Sequence, residues 1–228
     1  MRVRDRACYL PAADALVLSD LHVGKAAASS VEFPLGERTD LSERLAALVT
    51  AFDPAEVVLA GDLLEAFDHV PHGVEETVDR LAATARDAGA TLVVTPGNHD
   101  GLIDAVHDGT APAEHRLADD ETVVCHGHES PEEDADRYLV GHDHPAIEIE
   151  GKKRPCYLVG EGVYRGADVV MLPAFTRLAA GVTVNGMRAS DFASPLVTDL
   201  DAFRPVVWDA DAGEALEFPP LGELRSYL

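Results

Sequence analysis

The sequence predicts an α/β fold in two halves: a parallel sheet with its helices, then a mostly β half packed on it. Three observations predict it. Between Ala15 and Thr95, short apolar runs alternate with longer segments of helical periodicity, the pattern of a parallel sheet with crossover helices. From Glu121 the chain becomes a series of short apolar runs divided by turns, with little helical spacing. No repeat, low-complexity tract or Pro/Gly/Ser linker separates the halves. Residues 1–228 are therefore read as one domain, long enough to bury a substantial core.

The elements follow in order. Ala7 to Leu10 and Ala15 to Ser19 read as strands joined by a Pro-Ala-Ala-Asp turn. Asp40 with Glu43 resembles a capping box. Behind it Leu41, Leu45, Leu48, Val49 and Phe52 share one helical face until Asp53-Pro54 ends the helix. Glu56 to Ala60 is a buried strand. Val74, Val78, Leu81, Ala82 and Ala85 repeat the helical spacing until Gly89 stops it. Thr91 to Thr95 is the next strand. In the second half Thr122 to Cys125, Arg137 to Val140, Ile147 to Ile149, Cys156 to Val159, Asp168 to Leu172 and Gly181 to Val184 read as short strands.

Composition bounds the class. No apolar run reaches the ~18 residues of a membrane span, and Met1-Arg2-Val3-Arg4-Asp5-Arg6 is not followed by a signal-length apolar stretch. A cytoplasmic protein without membrane contact is expected. Cys8, Cys125 and Cys156 are too scattered for a disulfide framework or a zinc knuckle and read as small buried residues. The formal charge is −23; of the cations only Lys25, Lys152 and Lys153 are lysines, and the other fifteen are arginine. That balance reads as a surface solvated for high salt, as in a halophilic archaeon. It would otherwise argue against nucleic acid, but here the charge reports habitat more than substrate.

Five short motifs carry the chemistry, each just after an apolar run. They are Asp20-Leu21-His22, Gly61-Asp62, Gly97-Asn98-His99-Asp100, His126-Gly127 and Gly141-His142-Asp143-His144. Singly each is weak; together at strand ends they gather where ligands collect in a parallel sheet. Hydrolysis of a phosphate ester needs a nucleophile at neutral pH, neutralised phosphoryl oxygens and a proton for the leaving oxygen. Two divalent ions about 3.5–4 Å apart supply the first two by sharing an activated water and clamping the phosphate. Imidazole, carboxylate and amide oxygen without thiolate suit manganese first, with iron or zinc as alternatives, better than magnesium or calcium.

On these motifs, in this order, the chain resembles the calcineurin-like metallophosphoesterases. The resemblance implies a four-layer αββα sandwich of two mixed sheets flanked by helices. It also implies that Asp20, His22 and His144 bind one ion, that Asn98, His126 and His142 bind the other, and that Asp62 bridges them. His99 would stay off the metals and protonate the leaving oxygen. Asp20-Leu21-His22-Val23-Gly24-Lys25, Gly141-His142-Asp143-His144-Pro145-Ala146 and Leu172-Pro173-Ala174-Phe175 look most like the small archaeal phosphoesterases related to the nuclease SbcD. They look equally like bacterial phosphoesterases found with a DNA ligase.

One departure bears on mechanism. Nucleases of the SbcD type carry a histidine three residues after the bridging aspartate, where this chain has Glu65. Phosphoprotein phosphatases of the superfamily have an acidic residue there that pairs with the general-acid histidine, so Glu65 is read as a partner that tunes His99. The alternative is that Glu65 faces solvent and His69 or His72 replaces the missing histidine. Other candidates are weaker. Asp100 reads as a backbone-bonding turn residue. His128 is a loop histidine that could touch substrate, and Lys152-Lys153-Arg154 is a solvated turn or a phosphate contact. Arg38, after Pro34-Leu35-Gly36, is a surface residue or a lid arginine.

The expected function is hydrolysis of a phosphate ester, with a phosphodiester in DNA or RNA processing favoured. A phosphomonoesterase or small-nucleotide hydrolase is the alternative, and a partner-binding subunit with purely structural metals is the alternative of another class. Nucleic acid is a candidate partner. An ATPase, helicase or ligase partner rests on analogy of fold alone.

Overall fold

The computed structural model describes residues 1–28, 36–66 and 68–227; the Pro34-Leu35 part of the suggested lid lies outside them. The first sheet contains β1 (Arg2–Arg4), β2 (Ala7–Leu10), β3 (Ala15–Leu18), β4 (Glu56–Ala60) and β5 (Thr91–Thr95), in that spatial order. β3, β4 and β5 run parallel, while β1 and β2 form an antiparallel edge. Helix α1 (Lys25–Ala28) follows β3. The crossovers are α2 (Glu37–Phe52) and α3 (Val74–Asp87).

α2 begins earlier than the capping-box reading allows. Its N-cap is Gly36, with no side-chain cap. Asp40 lies in the first turn and turns outward from the backbone, meeting Arg44 at 3.2 Å and Arg177 at 2.8 Å. An (i, i+4) arginine and the positive helix end both attract that carboxylate. The predicted stop is where it was expected: Asp53 takes a left-handed conformation and its N–H caps Val49 O at 2.8 Å. Leu41, Leu45, Leu48, Val49, Val74, Val78, Leu81 and Ala85 bury one face of α2 and α3 against Leu16, Leu18, Val57 and Leu59 of the sheet.

The second sheet has seven strands in the order β15-β14-β11-β12-β8-β7-β6. These are β6 (Glu114–Arg116), β7 (Thr122–Cys125), β8 (Arg137–Val140), β11 (Tyr157–Tyr164), β12 (Ala167–Met171), β14 (Arg204–Asp209) and β15 (Glu214–Glu217). β7, β8 and β12 are parallel and the others antiparallel. β9 (Pro145–Ile149), β10 (Lys152–Pro155) and β13 (Val182–Thr183) make a small third sheet.

Strand alternation explains the layering. Val17, Val58, Ala60 and Val93 of the first sheet face Val124, Leu139, Tyr157 and Val170 of the second. The opposite face of the second sheet, with Val123, Tyr138, Leu158, Val169 and Met171, packs on Val184, Leu196, Leu200, Leu221 and Leu224. The αββα architecture is therefore as expected. Its last layer is built from short 3₁₀ turns, α4 (Leu221–Leu224) and loops rather than long helices. Among the described residues no helix is long and apolar enough to cross a membrane.

Candidate metal centre

Five parallel strands deliver the motif residues. β3, β4 and β5 end at Asp20, Asp62 and Asn98; β7 and β8 end at His126 and Gly141-His142. The ladders continue past the strands and hold the ligand loops. Asp20 N–H donates to Gly61 O at 3.0 Å, His22 N–H to Asp62 O at 2.9 Å, and Gly141 N–H to His126 O at 3.0 Å. The two sheets are then stitched together: His142 N–H reaches both Asp20 carboxylate oxygens, at 3.2 and 3.1 Å.

The backbone is strained where the side chains converge. Asp20, His22, Asp62, His142 and His144 all have φ between +46° and +77°. Each such residue costs about 1–3 kcal/mol and persists because its surroundings over-determine it. Two glycines give the carboxylates room. A Cβ on Gly97 would collide with Asp62 Oδ1, and one on Gly141 with Asp20 Oδ2. This explains the glycine before Asn98 and the one before His142.

The acceptor atoms converge in two sets, with an overlapping trio of His22, Asp62 and His99 between them. In the first, His22 Nε2 lies 3.2 Å from His144 Nε2, and His144 Nε2 lies 3.0 Å from Asp20 Oδ1. In the second, His126 Nε2 lies 3.1 Å from both Asn98 Oδ1 and His142 Nδ1. Asp62 faces both, with Oδ2 3.9 Å from His22 Nε2 and Oδ1 3.4 Å from His126 Nε2. His126 Nδ1 sits 3.1 Å from Ala60 O. A carbonyl can only accept, so the proton is on Nδ1 and the lone pair of Nε2 points into the second set. Ring nitrogens and oxygens this close in a buried site share a proton or a bound cation, and the nitrogen and oxygen donors present fit a divalent metal.

The charges of the two carboxylates and of two of the histidines agree with that use. Burial would raise the Asp20 and Asp62 carboxyls, but the His144 ring beside Asp20 and the His126 ring beside Asp62 hold each below the ordinary carboxylate range. Burial depresses His22 and His142, keeping them as neutral donors at pH 7. His126 is raised despite its burial, by Asp62 and Asp20.

The other candidates divide clearly. His99 stands at the same mouth: its N–H donates to Asp62 Oδ1 at 3.0 Å, and its Nε2 lies 3.9 Å from Asp62 Oδ2. Its ring meets that of His22 edge-on at 5.3 Å. Glu65 does not face solvent. Its carboxylate is 2.7 Å from His22 Nδ1 and 3.9 Å from His99 Nδ1, so its nearest histidine is His22, not His99. His69 and His72 are exposed and lie outside the cluster. Asp100 is a backbone tie, as expected: it accepts from Gly97, Leu63 and Leu64. Lys153 Nζ donates to Gly181 O at 2.6 Å, and Arg38 pairs with Glu76 on α3. His128 flanks the second set, its ring 5.2 Å from that of His126. Sequence reasoning gave Lys25 no role, yet its Nζ lies 3.2 Å from Glu65 Oε2; its place in the Asp20–Lys25 motif was the available signal.

Residues 14–145 match the model of the calcineurin-like phosphoesterase family, and the chain belongs to that family. It is a hydrolase acting on phosphate esters, of a metal-dependent class. Among solved structures, the nuclease MPE of Pseudomonas putida is similar over 94% of this chain and 92% of its own. The identity is 22% and the TM-score 0.65. YfcE, a phosphoesterase from E. coli, covers 90% of this chain and 98% of its own at 15% identity and a TM-score of 0.45. No curated protein matches the chain by sequence.

Proposed function

We propose that the chain is a two-metal phosphodiesterase that cleaves nucleic acid or a related phosphodiester in the cytoplasm. The observation that carries this reading is Asp62 facing two convergent donor sets with opposite oxygens. Asp20, His22 and His144 would hold one ion, and Asn98, His126 and His142 the other. Manganese suits the nitrogen and oxygen donors best, with iron or zinc as alternatives. When bound, two such ions neutralise phosphoryl charge and activate the attacking water.

The chain's own residues do the rest. The amides of His142 and His99 hold the carboxylates of Asp20 and Asp62 in place. His99, one residue beyond Asn98, keeps a partly exposed ring at the mouth, where its imidazolium gives a proton to the departing oxygen. Residues 1–228 work as one unit in this reading, because the donor sets draw on both sheets.

The similarity in fold to a nuclease agrees with a nucleic-acid substrate. A phosphomonoester is the second reading, favoured by Glu65 standing where nucleases of the SbcD type carry histidine. Metal-loaded protein assayed at high salt on bis-nitrophenyl phosphate, nitrophenyl phosphate and single-stranded DNA separates the two. Turnover of the diester and of DNA, with weak monoester cleavage, is expected. Preference for the monoester would reverse the assignment, and no turnover on any would leave a structural centre.

A further inference from the structure

We propose that Lys25 and Glu65 form a positioning pair that sets the ring of His22 as a metal donor, an inference that rests on the two-metal reading. Glu65 Oε2 lies 2.7 Å from His22 Nδ1 and 3.2 Å from Lys25 Nζ. The His22 side chain is 3% exposed and that of Glu65 15%, so water contributes little to either. His22 Nδ1 has no well-aligned hydrogen bond among the described residues although the carboxylate is this close. A small rotation of the ring completes that bond, with Nδ1–H donating to Glu65. The tautomer is then fixed with its lone pair on Nε2, the atom that faces His144 and Asp62.

The backbone brings the three residues together. Val23 N–H donates to Leu63 O at 2.8 Å and Glu65 N–H to Val23 O at 3.0 Å, extending the β3–β4 pairing beyond both strands. Lys25 N–H closes a turn on His22 O at 3.0 Å, which places its side chain beside the same carboxylate. Lys25 supplies a countercharge that holds the Glu65 carboxylate turned toward His22. Carboxylate groups that accept from the outer nitrogen of a ligand histidine orient the ring and raise its basicity, and losing one costs about 10–100-fold in metal affinity. Glu65 is thus a positioning residue for the first donor set, and its influence on His99 is secondary.

The test uses the full chain, stripped of metal and titrated with Mn²⁺ alone. Calorimetry gives affinities, and electron paramagnetic resonance separates a coupled pair from a single ion. Glu65→Gln should weaken one ion by about 10–100-fold, so that a single-ion signal replaces the coupled one at two equivalents. Lys25→Met should shift the same ion in the same direction by less. Glu65→Asp should recover part of the loss, and the metal-free proteins should melt together. Equal weakening of both ions, or no change in either variant, overturns the proposal. A metal-free Glu65→Gln that melts far below the parent does so too if Lys25→Met leaves both ions unchanged. Failure of the two-metal reading looks different, because the parent chain itself would then bind one ion or none.

Discussion

Arg44 and Phe175 touch twice: the guanidinium lies 4.0 Å over the ring, and its Nη1 donates to the Phe175 carbonyl at 2.7 Å. The other donors of Arg44 go to Asp5 and Asp40. Phe175 N–H in turn donates to Ser19 O at 2.8 Å, and Thr176 N–H to Asp20 O at 3.3 Å. The Leu172-Pro173-Ala174-Phe175 motif is therefore a clamp between α2 and the strand end that carries Asp20. Removing the cation takes from Asp5 its Arg44 partner, while Asp40 keeps Arg177. Breaking a buried pair costs about 3–5 kcal/mol, and because Asp5 and Asp40 keep some water the lower end is expected. Arg44→Met should lower the denaturant midpoint accordingly with an unchanged slope; a shift within ~0.5 kcal/mol, as for an ordinary surface change, would reduce the clamp to a passive contact.

His99 offers a test of role rather than of importance. His99→Ala should keep the metals and still bind substrate while losing about 10²–10⁴-fold in turnover. The loss should shrink for a nitrophenolate leaving group, which departs without a proton, and be full for an alkoxide. Equal losses on both substrates would mean that His99 stabilises phosphoryl charge instead.

The three thiols tie stability to alkaline pH. Burial pushes Cys8 and Cys125 up from about 9 to about 12, and Cys156 higher still. Between these limits the unfolded chain gives up thiol protons that the folded one retains. The stabilisation is complete below about pH 9 and is lost as pH rises toward 12, by ~1.4 kcal/mol per pH unit for each thiol. Cys156→Ala should flatten the fall measured by denaturant unfolding of metal-free protein from pH 9 to 10.5. Parallel curves would show that other groups set the alkaline limit.

The formal charge of −23 should make the fold weaker in dilute buffer through self-repulsion, with salt restoring it by screening. The melting temperature is expected to climb between low and molar potassium chloride. A flat response would remove the reading of this composition as a salt adaptation.

Much of this was legible in the sequence. Strands β2 to β5 and the α3 helix were visible because buried strands read as continuous apolar runs and crossover helices carry a strong 3.6-residue period. The start of α2 was missed because Asp40 looks like a cap but serves Arg44 and Arg177. The edge strands β1, β6 and β15, and β14 beside the last of them, were missed because short, partly polar runs such as Arg2–Arg4 and Glu214–Glu217 carry no clear alternation. Residue types and order named the candidate ligands. They could not give the left-handed backbone at five of them, nor that Glu65 would lie nearer His22 than His99, since both depend on contacts across loops.

The central claim, that Asp62 joins two metal sites, is tested most directly by anomalous diffraction from Mn²⁺-loaded crystals of the parent chain and of Asp62→Asn. The account predicts two peaks in the parent, one among Asp20, His22 and His144 and one among Asn98, His126 and His142, with Asp62 touching both. It predicts that Asp62→Asn loses occupancy at both and loses hydrolysis with it. A single peak in the parent, or two full peaks with normal turnover in Asp62→Asn, would contradict it.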